Sequence, residues 1–229
     1  QRGFFDGEIF ARSLPKIVAA FGANVALFLV AEVLILAFGL VLAILRGLPG
    51  PAFFPVRLLA TVYVDLFRAV PGILVIYLLG FGVTQLGIAG VPNSLFFWGV
   101  VSLALVYSAY VSEVYRAGIE SIHWSQEAAA RSLGMTRLQA MRYVVVPQAV
   151  RRVIPPLLND FIGLQKDTVL VSVIGVVEIF RQGQILKAAT FNFTPMVVIA
   201  LVFVVVTIPL ARFTDWLVAR DAARQATSR

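Results

Sequence analysis

The stretch SQEAAARSLGMTRLQAMRYVVVP, residues 125–147, is the polar segment on which the interpretation of the whole chain depends. It is rich in alanine and arginine, whereas long apolar segments precede and follow it. Charged side chains are costly inside a bilayer, and arginine is enriched in loops on the cytoplasmic side. The stretch therefore predicts an aqueous segment, most simply cytoplasmic, between two membrane spans.

Inside this segment the residues predict a short helix, a tight turn and a second helix. Ser125 is a favourable N-cap, and Glu127 lies in the first turn, where the helix dipole favours an acid. Gly134 suits the positive φ that ends many helices. Thr136 suits the cap of the second helix, and Pro147 is expected to separate that helix from the next span.

A helix of two turns is too short to be stable alone in water, so this one needs a surface to pack on. Ala128, Ala129 and Ala130 present little side chain and would let another protein approach closely. An amphipathic helix lying on lipid headgroups is the alternative, and the arginines fit it. The residues alone leave both interpretations open.

The composition places the rest of the chain in lipid. Of 229 residues, 60% are hydrophobic and 14% are charged, whereas soluble domains are about 45–50% apolar and about 25% charged. The length suits about five helical spans of about 20 residues each, so we predict an all-α integral membrane protein with one domain over residues 1–229. The predicted spans are residues 17–45, 56–79, 95–112, 147–177 and 195–218.

The charge pattern gives the orientation and excludes other classes. Of the 19 basic residues, most lie on the side of residues 125–147, which predicts an outer N-terminus and a cytoplasmic C-terminus. Residues 4–16 are expected to form an amphipathic helix along the outer interface.

The net charge of +7 is explained by the arginines of the loops, and the chain contains no motif for binding nucleic acid. Cysteine is absent and His123 is the single histidine, so neither a disulfide framework nor a metal cluster of these residues is expected.

Charged residues inside the predicted spans need partners or a function. Asp65 and Arg68 are one helical turn apart and are expected to pair with each other. Pro71 and Gly72 interrupt the same span. Glu32, in the first span, has no role that the sequence suggests.

The fourth span carries the candidate substrate site. On a helix Asp160, Gly163 and Asp167 share one face, and the glycine leaves room beside the acids. Such a face could hold a substrate ammonium group, with Gln165 and Thr168 adding neutral polar contacts. A purely structural, hydrogen-bonded role for the acids is the alternative.

The polar segment resembles the coupling segment of the membrane subunits of ABC importers. In that family a Glu-Ala-Ala triplet is followed by glycine four residues after the second alanine, and by proline thirteen residues later. Ala129, Ala130, Gly134 and Pro147 keep this spacing. The chain departs from the pattern at the acid, because Ala128 stands where the family has glutamate.

Three further stretches are similar to the polar amino-acid branch of that family. They are YVDLFRAVP at residues 63–71, EVYRAGI at residues 113–119 and NDFIGLQKDTVLVSVI at residues 159–174. The resemblance covers roughly residues 41–209.

This resemblance implies a type I ABC importer transmembrane domain in a bacterial inner membrane. It implies a second permease subunit, an extracytoplasmic solute-binding protein, and ATPase subunits docked on Glu127, Ala128, Ala129, Ala130 and Gly134. Glutamine and glutamate are the favoured substrates, with arginine and histidine possible. The chain has no G-x-x-x-x-G-K-[S/T] motif, so ATP is expected to be bound and hydrolysed by a partner and the chain to carry no cofactor of its own.

Two other functional classes fit the residues less well. An ion channel or secondary-carrier subunit would use the intramembrane charges as a permeation path and would have no ATPase partner. A membrane scaffold would bind a soluble protein through residues 125–147 and would be indifferent to changes at Asp160.

Overall fold

The computed structural model describes residues 4–87 and 90–227, and within these ranges the chain forms helices and turns with no strand. This confirms the predicted all-helical class. Residues 1–3, 88–89 and 228–229 of the predicted single domain lie outside the described residues. The α-helices are α1 (Gly7–Arg46), α2 (Phe54–Ala69), α3 (Gly72–Tyr77), α4 (Leu95–Glu120), α5 (Trp124–Ser132), α6 (Arg137–Ala140), α7 (Val146–Asp167), α8 (Ile179–Thr190) and α9 (Thr194–Thr227). Between them lie 3-10 segments at Pro51–Phe53 and Thr168–Ile174 and π-helical segments at Leu78–Val83 and Met141–Val145.

The long helices carry the membrane spans. In the described ranges, α1, α4 and α9 are each long and apolar enough to cross a bilayer alone. The chain has up to five spans if two bent helix pairs, α2 with α3 and α7 with α8, each count as one. Each of the five predicted ranges falls on one of these helices or bent pairs, and the number of spans stays a prediction.

The separate interfacial helix predicted for residues 4–16 is wrong. Helix α1 is continuous from Gly7 and includes Pro15. Asp6 caps it, because the Asp6 carboxylate accepts hydrogen bonds from the backbone N–H groups of Glu8 and Ile9 at 2.9 and 3.1 Å. The helix therefore begins at Gly7, after the cap formed by Asp6, ten residues before the start of the apolar run at residue 17.

Two of the predicted spans are sharply bent. The second breaks at Pro71, where Val70 is extended, and the two halves meet at 102°. The fourth runs through Pro155 and Pro156 without a break, continues as the 3-10 segment and then bends by 53° into α8. Residues 181–190, between the fourth and fifth predicted spans, belong to α8, and α9 continues beyond the fifth predicted span to Thr227.

Helix α4 lies at the centre and packs against α1, α2, α3 and α7. Glycines bring the backbones together. A Cβ at Gly39 of α1 would lie 2.8 Å from Cγ1 of Val111, and one at Gly118 of α4 would overlap Val153 of α7. Small residues at helix contacts are the usual way to pack helices closely in lipid.

A buried hydrogen-bond network ties α1 to the bend before α8. Asn24 Nδ2 donates to Thr168 Oγ1 at 3.0 Å and to Glu178 Oε2 at 2.9 Å, and Asn24 Oδ1 accepts from the backbone N–H of Ile179 at 3.0 Å. The Glu178 carboxylate also accepts from the backbone N–H groups of Phe180 and Arg181. Glu178 and Thr168 are fully buried and Asn24 is 2% exposed, so the donors and acceptors of this network satisfy one another away from water.

We expect Asn24→Leu to lower the thermal stability of the purified protein. The leucine fills a similar volume but removes one donor to the buried Glu178 carboxylate and the acceptor of the Ile179 N–H. An unsatisfied buried group of this kind costs about 1–3 kcal/mol. The measurement is the temperature at which half of the detergent-solubilised protein is lost from the monodisperse gel-filtration peak. Asn93→Leu, at an exposed loop position, is the matched control; equal midpoints for the two variants would contradict the stabilising role.

Candidate functional site

A cavity of about 310 Å³ lies between α3, α4, α7 and the 3-10 segment that follows α7. Asp160 and Asp167 line it from α7, Tyr107 and Tyr110 line it from α4, and Gly72 lines it from the start of α3. The other lining residues are apolar apart from one serine, namely Ile76, Ser102, Leu103, Val106 and Leu170. Acids are therefore the only charged groups in its described lining.

The acids on the predicted face of α7 do meet in one place. Tyr107 Oη donates a hydrogen bond to Asp167 Oδ2 at 2.8 Å. Gly163 makes room for this hydroxyl, because a Cβ at that position would lie 3.5 Å from Tyr107 Oη. Asp160 Oδ2 is buried and has no hydrogen-bond partner among the described residues. A buried carboxylate oxygen that lacks a donor is suited to receive one from a ligand.

The structure places the two neutral candidates elsewhere. Gln165 is 6% exposed and its Oε1 accepts a hydrogen bond from Thr207 of α9 at 3.2 Å. Thr168 is held by Asn24 of α1. Both side chains face α1 and α9, on the side of α7 away from the cavity, so Asp160, Gly163 and Asp167 are the part of the predicted set that comes together.

Sequence reasoning missed the tyrosines of α4. They are among the polar side chains of a largely apolar helix, and a buried tyrosine hydroxyl usually has a hydrogen-bond partner. That signal was available, but it did not say which carboxylate Tyr107 would meet.

The predicted pair of Asp65 with Arg68 is wrong. Asp65 is exposed and forms no ion pair within the described ranges. Arg68 instead lies 3.6 Å from Glu113 of α4, whose carboxylate also binds Arg46 at 2.6 Å and Arg116 at 2.8 Å. The break of α2 at the next turn brings Arg68 toward α4, so the tertiary contact replaces the local one.

The polar segment forms the predicted helix, turn and second helix, with a different first cap. His123, not Ser125, caps α5, because its ring nitrogen accepts from the Ser125 N–H at 3.3 Å. At the other end Gly134 has φ +89°. The N–H groups of Gly134 and Met135 bond the carbonyls of Arg131 and Ala130, a Schellman arrangement that satisfies the end of the helix.

The second helix follows without a separation from α7. Thr136 and Gln139 form a reciprocal capping box at its start, as the threonine suggested. The π-helical segment then leads directly into α7, so Pro147 lies in the first turn of α7 and does not break the chain of helical turns, contrary to expectation. Proline removes one backbone hydrogen bond inside a helix, and here the turns just before it, Met141–Val145, are π-helical.

One face of the polar segment is anchored and the other is free. Ala130 is buried, whereas Ala128, Ala129 and Gly134 are exposed. Glu127 lies 3.8 Å from Arg137 and links the two short helices. Three large apolar side chains of the same segment are also exposed, namely Trp124, Leu133 and Leu138, at 74%, 83% and 77%. We name the exposed surface with Ala128, Ala129 and Gly134 the coupling face. Its small residues would let another protein pack closely against it.

The two sites are connected by one element. Residues 137–174 form one continuous helical rod, which carries the coupling segment at one end and Asp160 and Asp167 in its second half. From Val146 to Asp160 the rise of an α-helix gives a separation of about 21 Å. One helical rod therefore connects the acidic cavity to the exposed face of the polar segment.

Comparison with known proteins gives the family. The model of the binding-protein-dependent transport system inner membrane component matches residues 39–221. A probable glutamine ABC transporter permease protein of Bacillus subtilis is 34% identical over 194 residues, covering 84% of this chain and 88% of that protein. A glutamate/aspartate import permease protein of Escherichia coli is 31% identical over 224 residues, covering 95% and 99%.

A solved structure agrees with these sequences. A chain in the crystal structure of an amino acid ABC transporter with histidines is 33% identical, with a TM-score of 0.86, and the match covers 94% of this chain and 99% of that one. The fold is thus that of a type I ABC importer transmembrane domain, and a channel or carrier without an ATPase partner is not supported. In such transporters a separate subunit hydrolyses ATP. The chain therefore belongs, as a transport subunit, to the family of inner membrane components of binding-protein-dependent transport systems.

Proposed function

We propose that this chain forms the translocation path for a polar amino acid, with the acidic cavity as its substrate site. The observation that carries the proposal is the pair of carboxylates, Asp160 and Asp167, in a cavity between membrane helices. Every α-amino acid has an ammonium group at neutral pH, and Asp160 Oδ2 has an unused acceptor position for it. The relatives named above import glutamine or glutamate and aspartate, which supports a substrate of this size and polarity, with arginine and histidine as the other candidates.

The proposed assembly has two permease subunits, identical or related, two ATPase subunits on the cytoplasmic side and a solute-binding protein on the outer side. The ATPase docks on the coupling face, where Ala128 and Ala129 leave room for its surface. Glu127 holds the second short helix through Arg137 and so acts within the segment. With this face in the cytoplasm, the N-terminus lies outside, the C-terminus lies inside, and residues 1–229 act as one transmembrane domain in the inner membrane.

Transport then follows from differential binding of ATP to two states of the complex. Closure of the ATPases on ATP moves the coupling segment, and α7 carries that movement to the cavity because the helical rod is continuous. ATP can shift the equilibrium only by the difference in its affinity for the two states. The cavity would open to the outer side in the ATP-bound state and to the inner side after hydrolysis.

We expect Ala129→Arg to abolish association with the ATPase. Arginine at this exposed position adds volume and charge where close approach is required. The measurement is the stoichiometry of ATPase that co-purifies with the tagged permease from native membranes. Ala52→Arg makes the same change at an exposed alanine of the loop between α1 and α2 and should retain the ATPase. Normal association of the Ala129 variant would contradict the docking role.

Asp160→Asn should reduce uptake about ten-fold or more while the complex still assembles. Loss of a charge-assisted contact of about 1.5–3 kcal/mol has an effect of this size. Uptake of radiolabelled glutamine, glutamate, arginine and histidine is measured in proteoliposomes that contain the full complex and its binding protein. Asp215→Asn removes an acid that is 72% exposed on α9 and serves as the control. Unchanged kinetics for the Asp160 variant would remove this residue from the site.

Tyr107→Phe should raise the KM for the transported amino acid by about two- to ten-fold, because Asp167 loses the hydrogen bond that holds it in the cavity. The same uptake assay gives KM and kcat separately. Tyr77→Phe, in a helix that borders the cavity but at a half-exposed residue outside its lining, is the matched control. A fall in kcat with KM unchanged would argue against a role of Tyr107 in substrate binding.

A further inference from the structure

A second cleft shares no lining residue with the acidic cavity and carries the opposite charge. It has a volume of about 540 Å³ and lies along α8 and the turn that leads into α9. Arg181, Gln184 and Lys187 follow one another every three residues on α8, so they lie near one face of the helix. The other lining residues are Ala188, Phe191 and Phe193. The described lining thus has two cations, two aromatic rings and no acid.

The two cations of this cleft have no carboxylate partner. Neither Arg181 nor Lys187 forms an ion pair within the described ranges. Arg181 Nη1 donates a hydrogen bond to Gln184 Oε1 at 3.2 Å, and Lys187 Nζ lies 4.1 Å from the centroid of the Phe193 ring. Glu178, the acid nearest in sequence, is fully buried and accepts from backbone N–H groups at the start of α8 instead. Two positive charges are therefore available for an anion.

Aromatic rings beside the cleft lie where two membrane helices begin. Phe193 directly precedes α9 and stacks on Phe4, close to the start of α1, with the ring centroids 6.4 Å apart. The backbone N–H of Asp6 donates to Thr194 Oγ1 at 2.8 Å and ties the two helix starts together. Both rings are exposed. Exposed aromatic side chains in such positions insert at the boundary between lipid headgroups and acyl chains.

The cleft lies at the end of the helix bundle opposite to the coupling segment. Helices α1 and α4 run parallel, because Gly99 faces Leu27 and Gly39 faces Val111. The start of α1 is therefore on the same side as the start of α4, whereas the coupling segment follows the end of α4. The cleft thus meets the leaflet that is farther from the coupling segment, which the proposed orientation makes the outer leaflet.

Phe191 borders the cleft in a backbone conformation that is uncommon for a bulky residue. Its φ of +50° and ψ of 34° are left-handed, and the end of a helix usually gives this conformation to glycine or asparagine. The side chain is 93% exposed, so packing within the protein does not hold it there. A backbone outlier of this kind points to a function, and acyl chains would give the exposed ring an apolar surrounding.

We propose that this cleft binds the phosphodiester headgroup of an anionic phospholipid, with Arg181 and Lys187 on the phosphate and Phe191 against the acyl chains. A guanidinium matches phosphate oxygens with its planar fork of N–H groups, and an ammonium adds a second charge. Basic residues close to a membrane surface attract anionic lipids in general. The position of the rings at the ends of two membrane helices favours a lipid over the acidic surface of a soluble protein. The site is separate from the translocation path and from the coupling face, so it goes beyond the proposed function.

The test measures lipid binding to the purified complex of the permease and its ATPase by native mass spectrometry. The probes are phosphatidylglycerol and phosphatidylcholine with the same acyl chains. The wild-type complex should bind phosphatidylglycerol about ten-fold more tightly. The double variant Arg181→Gln, Lys187→Gln should lose this preference and keep the affinity for phosphatidylcholine. The fold should tolerate both changes, because the Glu178 carboxylate bonds only the backbone of residue 181.

Two further variants separate the cleft from general effects of charge and of folding. Arg12→Gln removes a cation in the second turn of α1, where Arg12 is 77% exposed and pairs with Glu8 outside the cleft. This matched control should keep the lipid preference. Phe191→Gly removes the ring but suits the left-handed backbone. It should weaken binding of both lipids to a similar degree, and unchanged affinities would overturn the role of the ring.

The remaining outcomes decide the assignment of the ligand. Equal affinities of the wild type for the two lipids, or an equal loss of preference in Arg12→Gln, overturn the proposal. Glycerophosphoglycerol, the same headgroup without acyl chains, should not compete, and competition at equal concentration would identify a soluble phosphate ligand instead. If the double variant binds both lipids normally but no longer recruits the solute-binding protein, the cleft is a protein-docking site and the lipid assignment is wrong.

Discussion

The hydrogen bonds of Asn24 and Glu178 are the interaction on which the bent architecture depends. A helix that starts inside a bilayer exposes backbone N–H groups for which lipid offers no acceptor. At the start of α8 these groups are taken by the Asn24 amide and the Glu178 carboxylate. The same asparagine holds Thr168, the residue after Asp167, and so fixes where the 3-10 segment begins. The position of a cavity acid is thus a consequence of satisfying the backbone at a bend.

The polar groups of this chain divide into two kinds. Those of the Asn24 network are fully buried and satisfy one another, as expected for groups that only hold the fold together. Those around the cavity are not all satisfied, because Asp160 Oδ2 has no hydrogen-bond partner among the described residues. In a membrane protein such incomplete pairing is costly without a ligand, which is why Asp160, and not Glu178, is assigned to the substrate.

Local signals in the sequence predicted much of the local structure, although His123 and not Ser125 caps α5 and Pro147 does not interrupt the helical turns. The apolar runs located the long helices, Gly134 and Thr136 gave the turn of the coupling segment, and the spacing of Asp160 and Asp167 gave their common face. Contacts between distant residues were beyond such signals. Asp65 and Arg68 are close in sequence, yet the break at Pro71 brings Arg68 to Glu113. Tyr107 was not identified, because its role depends on the packing of α4 against α7 that Gly163 allows.

The uninterrupted passage from the coupling segment into α7 has a mechanical consequence. Helix α7 alone is about 33 Å long, from the rise of an α-helix, so a tilt of about 5° about one end displaces the other end by about 3 Å. With an ATPase docked as proposed, the rod would act as a lever, in which a small rotation at the coupling segment becomes a displacement comparable to a hydrogen-bond length at the carboxylates. A flexible joint at Pro147 would bend locally instead, and a movement of the coupling segment would not reach Asp160 and Asp167.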